Sequence, residues 1–376
     1  MFSNAVKLFS INGFDIKLDP SWLLIAALIT WSLSQGYFPA ILPDQSTGTY
    51  LAMALIAMLC FFVSLLLHEL AHSVVARRLG VPIKGITLFL FGGVAELEAE
   101  PRSARVEFWV ALAGPVMSLA LALGFWSLAR LSDLVAAAVP VSMVLGYLAL
   151  INLILALFNL VPAFPLDGGR VLRAYLWHRK GDVLAATETA SQSGTIFAYV
   201  LMGLGVLALF DGALIAGLWQ IMIGFFVLVA ARAAYQTQLA KVAFDHKTVA
   251  TLMQRDPIVI SPEMTLSEFV NRIMLRHNVS FVPVVEDGVL LGHMDQAVLA
   301  GIDRENWANT RVGDVFAGLD DQVSISGEMP VQDLMARIAD TGRRKFLVVD
   351  GHRLMGVISL ADLTRYLHMS DLLRHK

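Results

Sequence analysis

The sequence predicts a polytopic α-helical membrane protein of about six spans, followed by a soluble α/β part. Three observations carry this. Of 376 residues, 57% are hydrophobic and only 16% charged, against about 25% charged in an ordinary soluble domain. The charge is uneven: residues 1–240 hold 26 Asp, Glu, Lys and Arg, and the remaining 136 residues hold 33. Long apolar segments recur only in the first part. Net charge −3 leaves no basic footprint for nucleic acid. The single cysteine, Cys60, lies in an apolar run, which excludes an internal disulfide framework and a four-cysteine zinc site.

Residues 1–21 are mixed and carry Lys7, Asp15, Lys17 and Asp19. They lack the apolar core and cleavage site of a signal peptide, so no cleavage is expected. Six apolar segments follow, at Trp22–Phe38, Leu51–Ala76, Phe108–Ala129, Val141–Val161, Gly194–Phe210 and Ala213–Ala231. Each approaches the roughly 20 residues that span a bilayer. In lipid the backbone must bond to itself, so these segments are expected to be helices. Lys7 and Lys17 precede the first. Arg77, Arg78, Lys84, Arg102 and Arg105 follow the second. Arg170, Arg173, Arg179 and Lys180 follow the fourth, and Arg232 and Lys241 the sixth. The other connections hold only Arg130. This alternation places both termini and the soluble part on the cytoplasmic side of the cell membrane.

Segment two ends in His68-Glu69-Leu70-Ala71-His72, an H-E-x-x-H pattern. On a helix the two histidines share one face, as two ligands of one zinc ion require, and the glutamate stands beside them as a candidate general base. Ionisable groups inside a span are costly, which favours function over packing. At 1.5 Å per residue, His72 lies about 8 Å and His68 about 14 Å below Arg77. A catalytic zinc takes three protein ligands and leaves one position open. Residues 1–240 contain one other histidine, His178, in a charged run. Asp167, in the stretch Asn159-Leu-Val-Pro-Ala-Phe-Pro-Leu-Asp167-Gly168-Gly169-Arg170 that closes segment four, is the better third candidate. By spacing alone that stretch reads equally as an ordinary helix-ending turn.

HELAH on one apolar segment and NLVPAFPLDGGR on a later one resemble the site-2 protease family of intramembrane zinc metalloproteases. The resemblance covers most of residues 1–240. It implies zinc on His68, His72 and Asp167, Glu69 as catalytic base, and Asn159 near the substrate or oxyanion. It also implies a re-entrant β-rich loop around Gly92-Gly93, ahead of the motif Ala113-Gly114-Pro115. Some relatives carry Asn where this chain has Ser118, which weakens any role for position 118 but not the zinc assignment. Residues Ile83–Leu97 are rich in β-formers. They are expected either to offer a strand edge to an unwound substrate or to pack beneath the helices.

Residues 245–376 contain a repeat in which Gly292 and Gly356 correspond, 64 positions apart. Each copy alternates short apolar strands with helical stretches. The pair resembles tandem cystathionine-β-synthase (CBS) domains, at 245–300 and 305–370, joined to the 1–240 membrane domain by a short link. That resemblance implies an adenine nucleotide, and a homodimer is plausible through the same domains. The family's ribose-contacting pattern stands in the second copy as Gly356-Val-Ile-Ser359-Leu-Ala-Asp362. The first copy, Gly292-His-Met-Asp295-Gln-Ala-Val298, lacks it. At most one nucleotide site is expected, through Ser359 and Asp362. The same two residues also read as a helix cap. Other histidines, His293 among them, are expected to be surface or packing residues. The sequence therefore predicts an intramembrane zinc protease that cuts a membrane-spanning substrate near the cytosol and is modulated by the CBS pair. The competing readings are a CBS-regulated transporter and an inactive scaffold.

Overall fold

The computed structural model describes residues 5–11, 13–89, 92–97, 101–135 and 138–374. The chain divides into two compact units, Met1–Gln236 and Thr237–Lys376. Six helices are long and apolar enough to cross a membrane: α1 (Ser21–Ile41), α2 (Thr47–Arg78), α3 (Ala104–Leu134), α4 (Val139–Asn159), α6 (Val183–Phe210) and α7 (Leu214–Ala243). A shorter helix, α5 (Asp167–Lys180), lies between α4 and α6.

Helix α2 shows how one sequence serves both lipid and protein. It has 32 residues, about 48 Å at 1.5 Å per residue, longer than the roughly 30 Å of bilayer hydrocarbon. Ser46 caps its start by accepting the Thr49 N–H. Arg77 and Arg78 occupy its last turn, where cations suit the helix dipole. Leu51, Leu55, Leu59 and Val63 recur every fourth residue and are exposed, as a lipid-facing stripe must be. Ala54, Ala57, Ser64, His68 and His72 are buried. The small residues let neighbouring helices approach closely.

A four-stranded sheet, in the order β1-β2-β3-β4, packs against α2. Its strands are β1 (Val6–Ile11), β2 (Phe14–Leu18), β3 (Ile83–Phe89) and β4 (Gly92–Leu97). Both hairpins are antiparallel, and β2 and β3 pair in parallel. Phe14, Ile16, Ile86 and Leu88 bury against Leu66 of α2. Gly85 is needed where β2 and β3 meet, since a Cβ there would lie 2.5 Å from the Asp15 carbonyl oxygen. The β-rich stretch after segment two is thus a hairpin, and the amino-terminal residues extend it. Their alternation of Phe14, Ile16 and Leu18 was the available signal.

Several boundaries differ from expectation; the sixth span, for one, runs on to Ala243, twelve residues past Ala231. The fifth span starts eleven residues earlier, at Val183, because Asp182 caps it by accepting the Leu184 and Ala185 N–H groups. Its first turns bury Thr187 and Ser191, polar residues that a hydropathy reading discards. The stretch ending in Asp167 does not close segment four. Helix α4 stops at Asn159, and Asp167 opens α5.

The second unit contains two three-stranded sheets. One has the order β5-β6-β7, with β5 (Phe281–Glu286), β6 (Val289–Asp295) and β7 (Ala317–Gly318). The other has the order β10-β9-β8, with β8 (Ser324–Ser326), β9 (Lys345–Asp350) and β10 (Arg353–Ser359). Each sheet has its own apolar core, around Phe269 and around Phe346. The repeated glycines share one physical reason. A Cβ on Gly292 would meet the Ala317 carbonyl at 2.0 Å, and one on Gly356 would meet the Gln254 carbonyl at 2.5 Å. Each thus admits the backbone of a neighbouring segment.

Candidate metal centre

His68 and His72 project from the buried face of α2, one turn apart. Asp167 comes from the first turn of α5 and is also buried. The three donor atoms form a nearly equilateral triangle. His72 Nε2 lies 3.2 Å from His68 Nε2 and 3.2 Å from Asp167 Oδ2, and His68 Nε2 lies 3.3 Å from Asp167 Oδ2. A tetrahedral zinc with bonds of about 2.0–2.1 Å has edges of about 3.3 Å. The triangle therefore has the size of one face of such a site, and the three residues could hold a metal ion.

Proton placement agrees. His72 Nδ1 donates to the Val110 carbonyl at 2.7 Å, and a carbonyl can only accept. In the neutral ring, Nε2 is then a bare lone pair aimed at the other donors. His68 Nδ1 is 2.8 Å from Ser118 Oγ, which fixes the second ring in the same sense when the hydroxyl accepts. Two lone pairs and a carboxylate facing one another in a dry site are suited to a cation. Ser118, for which the sequence suggested no role, is fully buried and orients a histidine. Its signal was its place on α3 four residues after Gly114, which no motif marks as a histidine partner.

Glycines make the convergence sterically possible. A Cβ on Gly114 would lie 2.1 Å from His72 Nε2 and 2.6 Å from His68 Nε2, so α3 can pass the site only with glycine there. A Cβ on Gly168 would lie 2.3 Å from the Leu160 carbonyl oxygen, and one on Gly169 would lie 2.4 Å from the Phe164 nitrogen. These two glycines let the turn after Asn159 fold onto the first turn of α5, which sets Asp167 in place. Gly93, on edge strand β4, packs against Glu69: a Cβ there would approach Glu69 Cγ to 2.4 Å. The glutamate thus stands beside the two histidines of its own helix and abuts the backbone of an edge strand.

Asn159 is not brought into the triangle's hydrogen bonds. Its Nδ2 donates to the Leu155 carbonyl of its own helix at 3.1 Å. An apolar cavity of about 270 Å³ opens beside the site, with Trp22, Phe62, Phe89, Phe158, Trp219 and Phe226 in its walls. Gly92 and Leu166 line it too, next in sequence to Gly93 and Asp167.

In the second unit, Ser359 and Asp362 engage each other at the start of α8 (Leu360–Arg374). Ser359 Oγ donates to Asp362 Oδ2 at 2.6 Å, and the Asp362 carboxylate accepts the Ser359 N–H at 3.0 Å. This is the arrangement of a capping box. A polar cleft of about 250 Å³ is lined by Ser280, His293, Asp295, Arg343, Arg344 and Lys345. Lys345 stands opposite Ser359 in the β9–β10 ladder. His293 is 5% exposed and its Nδ1 has no hydrogen-bond partner among the described residues. Burial holds its pKa below the ordinary histidine value, against the opposing pull of Asp295.

Comparison with known proteins places this geometry. Residues 56–138 and 126–202 match the model of peptidase family M50, and residues 249–293 and 312–369 match that of the CBS domain. Rip3 of Mycobacterium tuberculosis is 35% identical over 365 residues, which cover 96% of this chain and 92% of its own. Zinc metalloprotease MJ0392 of Methanocaldococcus jannaschii is 29% identical over 368 residues, 98% of this chain and 97% of its own. A solved site-2 protease from Methanocaldococcus jannaschii is 29% identical and superimposes with a TM-score of 0.44, covering 61% of this chain and 95% of that one. A relative above 30% identity over nearly the whole chain and the family match agree: the chain belongs to peptidase family M50, the site-2 type of membrane zinc metalloproteases, and carries a CBS pair.

Proposed function

We propose that His68, His72 and Asp167 are the ligands of one zinc ion and that Glu69 is the general base. The triangle of 3.2–3.3 Å, with Glu69 adjacent, is the observation that carries this reading. Bound there, zinc supplies a Lewis acid that lowers the pKa of a water and polarises a carbonyl. Glu69 takes the proton from the attacking water and returns it to the leaving amine. The Asn159 amide sits at the end of α4 near the substrate and contributes to the oxyanion's surroundings.

The substrate is a membrane-spanning segment. Its carbonyls are locked in i→i−4 bonds while it is helical, so it must unwind before attack. Strand β4 is a sheet edge whose Gly93 abuts Glu69, which supports addition of the unwound segment as a further strand. The aromatic cavity beside the site suits the apolar side chains of that segment. The β3–β4 hairpin is then the re-entrant loop. The distribution of Lys and Arg supports a cell-membrane enzyme with its termini and CBS pair in the cytoplasm, and cleavage on the cytosolic side. The CBS pair modulates activity by binding an adenine nucleotide, with Ser359 and Asp362 exchanging their mutual bonds for a ribose, and provides the contact for a homodimer.

Three outcomes test this. Purified Glu69→Gln retains its zinc but cleaves a panel of single-span substrates about 10²–10⁴-fold more slowly than wild type; equal rates would remove Glu69 from the chemistry. Ser118→Ala weakens zinc binding about 10–100-fold in chelator competition, and unchanged affinity would reduce the hydroxyl to packing. Calorimetry on the full chain detects one site for ATP, ADP or AMP per chain that is lost in Asp362→Ala. No heat with any of the three refutes the nucleotide assignment.

A further inference from the structure

A buried ion pair away from the donor triangle links the helices that build it. Glu107 of α3 is fully buried, and Arg173 of α5 donates to its Oε1 through both Nε, at 2.7 Å, and Nη2. Glu107 Oε2 has no partner among the described residues. The Arg173 guanidinium also lies 5.1 Å from the centre of the Phe164 ring. Phe164 stands three residues before Asp167, and Arg173 six residues after it. One guanidinium therefore ties α3 to both the turn that leads into Asp167 and the helix that leaves it.

The other end of the pair is placed as tellingly. Glu107 lies one helical turn before Val110, whose carbonyl holds His72 Nδ1, and two turns before Gly114, which packs on both histidines. Helix α3 thus fixes the histidines, and α5 carries the carboxylate. A slide of α3 along α5 by an ångström would open the 3.2–3.3 Å triangle. It would also strip a buried carboxylate of its cation, which is strongly unfavourable.

We propose that Glu107 and Arg173 are positioning residues: their ion pair sets the register between α3 and α5 that brings Asp167 Oδ2 to the histidine nitrogens. Neither touches the metal or the substrate. The proposal rests on the reading of His68, His72 and Asp167 as ligands.

The test uses full-length protein in detergent and three readouts: zinc affinity by chelator competition, the visible spectrum of the Co²⁺-substituted protein, and melting temperature. Glu107→Gln keeps the shape and removes the charge. Arg173→Lys keeps the charge and removes the forked donor, and it serves if the first variant does not fold. Each should weaken zinc binding tenfold or more, within the 10–100-fold known for residues that support ligands, and shift the cobalt bands. Wild-type affinity and spectrum in either folded variant would overturn the proposal, even if melting temperature falls, because a purely structural pair would act that way. A wild type that binds no zinc would overturn the ligand assignment itself, a result separable from the first.

Discussion

Two imidazole nitrogens and a carboxylate oxygen face one another in a dry site. His68 Nε2, His72 Nε2 and Asp167 Oδ2 stand 3.2–3.3 Å apart with almost no exposure. Such a set of groups can hold a cation among them. Much of the first unit follows from holding them together. Val110 and Ser118 fix the imidazole rings from behind. Gly114 lets α3 pass without a side chain. Gly168 and Gly169 let the turn before α5 close tightly enough to aim the carboxylate.

The second constraint is access. Under the proposed function, catalysis needs a peptide bond beside Glu69, yet a membrane-spanning substrate presents none while helical. In that proposal the sheet answers this with backbone. Strand β4 is an edge, and at Gly93 it passes so close to the Glu69 side chain that a larger residue would push that side chain aside. The opposite edge is held by β1, from the amino terminus, so the hairpin after α2 is not left alone in the structure. A hairpin without a partner is marginal, and two more strands with a buried face give it an anchor on α2.

What was legible in the sequence was what obeys a short local rule. H-E-x-x-H is a one-turn pattern on a helix, so His68, Glu69 and His72 could be read directly. The spans were legible because lipid demands uninterrupted apolar length, and the fifth was shortened where Thr187 and Ser191 break that run while staying buried. The internal repeat was legible because Gly292 and Gly356 meet the same steric demand. What was not legible depends on two elements distant in sequence. Ser118 serves a histidine 50 positions away, and Glu107 meets an arginine 66 positions away. Asp167 was found through its motif, but its place at the start of α5 came from folding of the turn around Pro162 and Pro165, not from helix periodicity. The β1–β2 hairpin was hidden by a mixed composition that drew attention to charge rather than to the alternation of Phe14, Ile16 and Leu18.

The central claim is that one zinc is held by two imidazoles from one helix and one carboxylate from another. X-ray absorption at the zinc edge of the purified full-length protein tests it most directly. The account predicts one zinc per chain with four nitrogen or oxygen neighbours at about 2.0–2.1 Å, and the outer-shell scattering of two imidazoles, reduced to that of one in His72→Ala. Absence of zinc, a sulfur neighbour, or a spectrum indifferent to His72→Ala would contradict it.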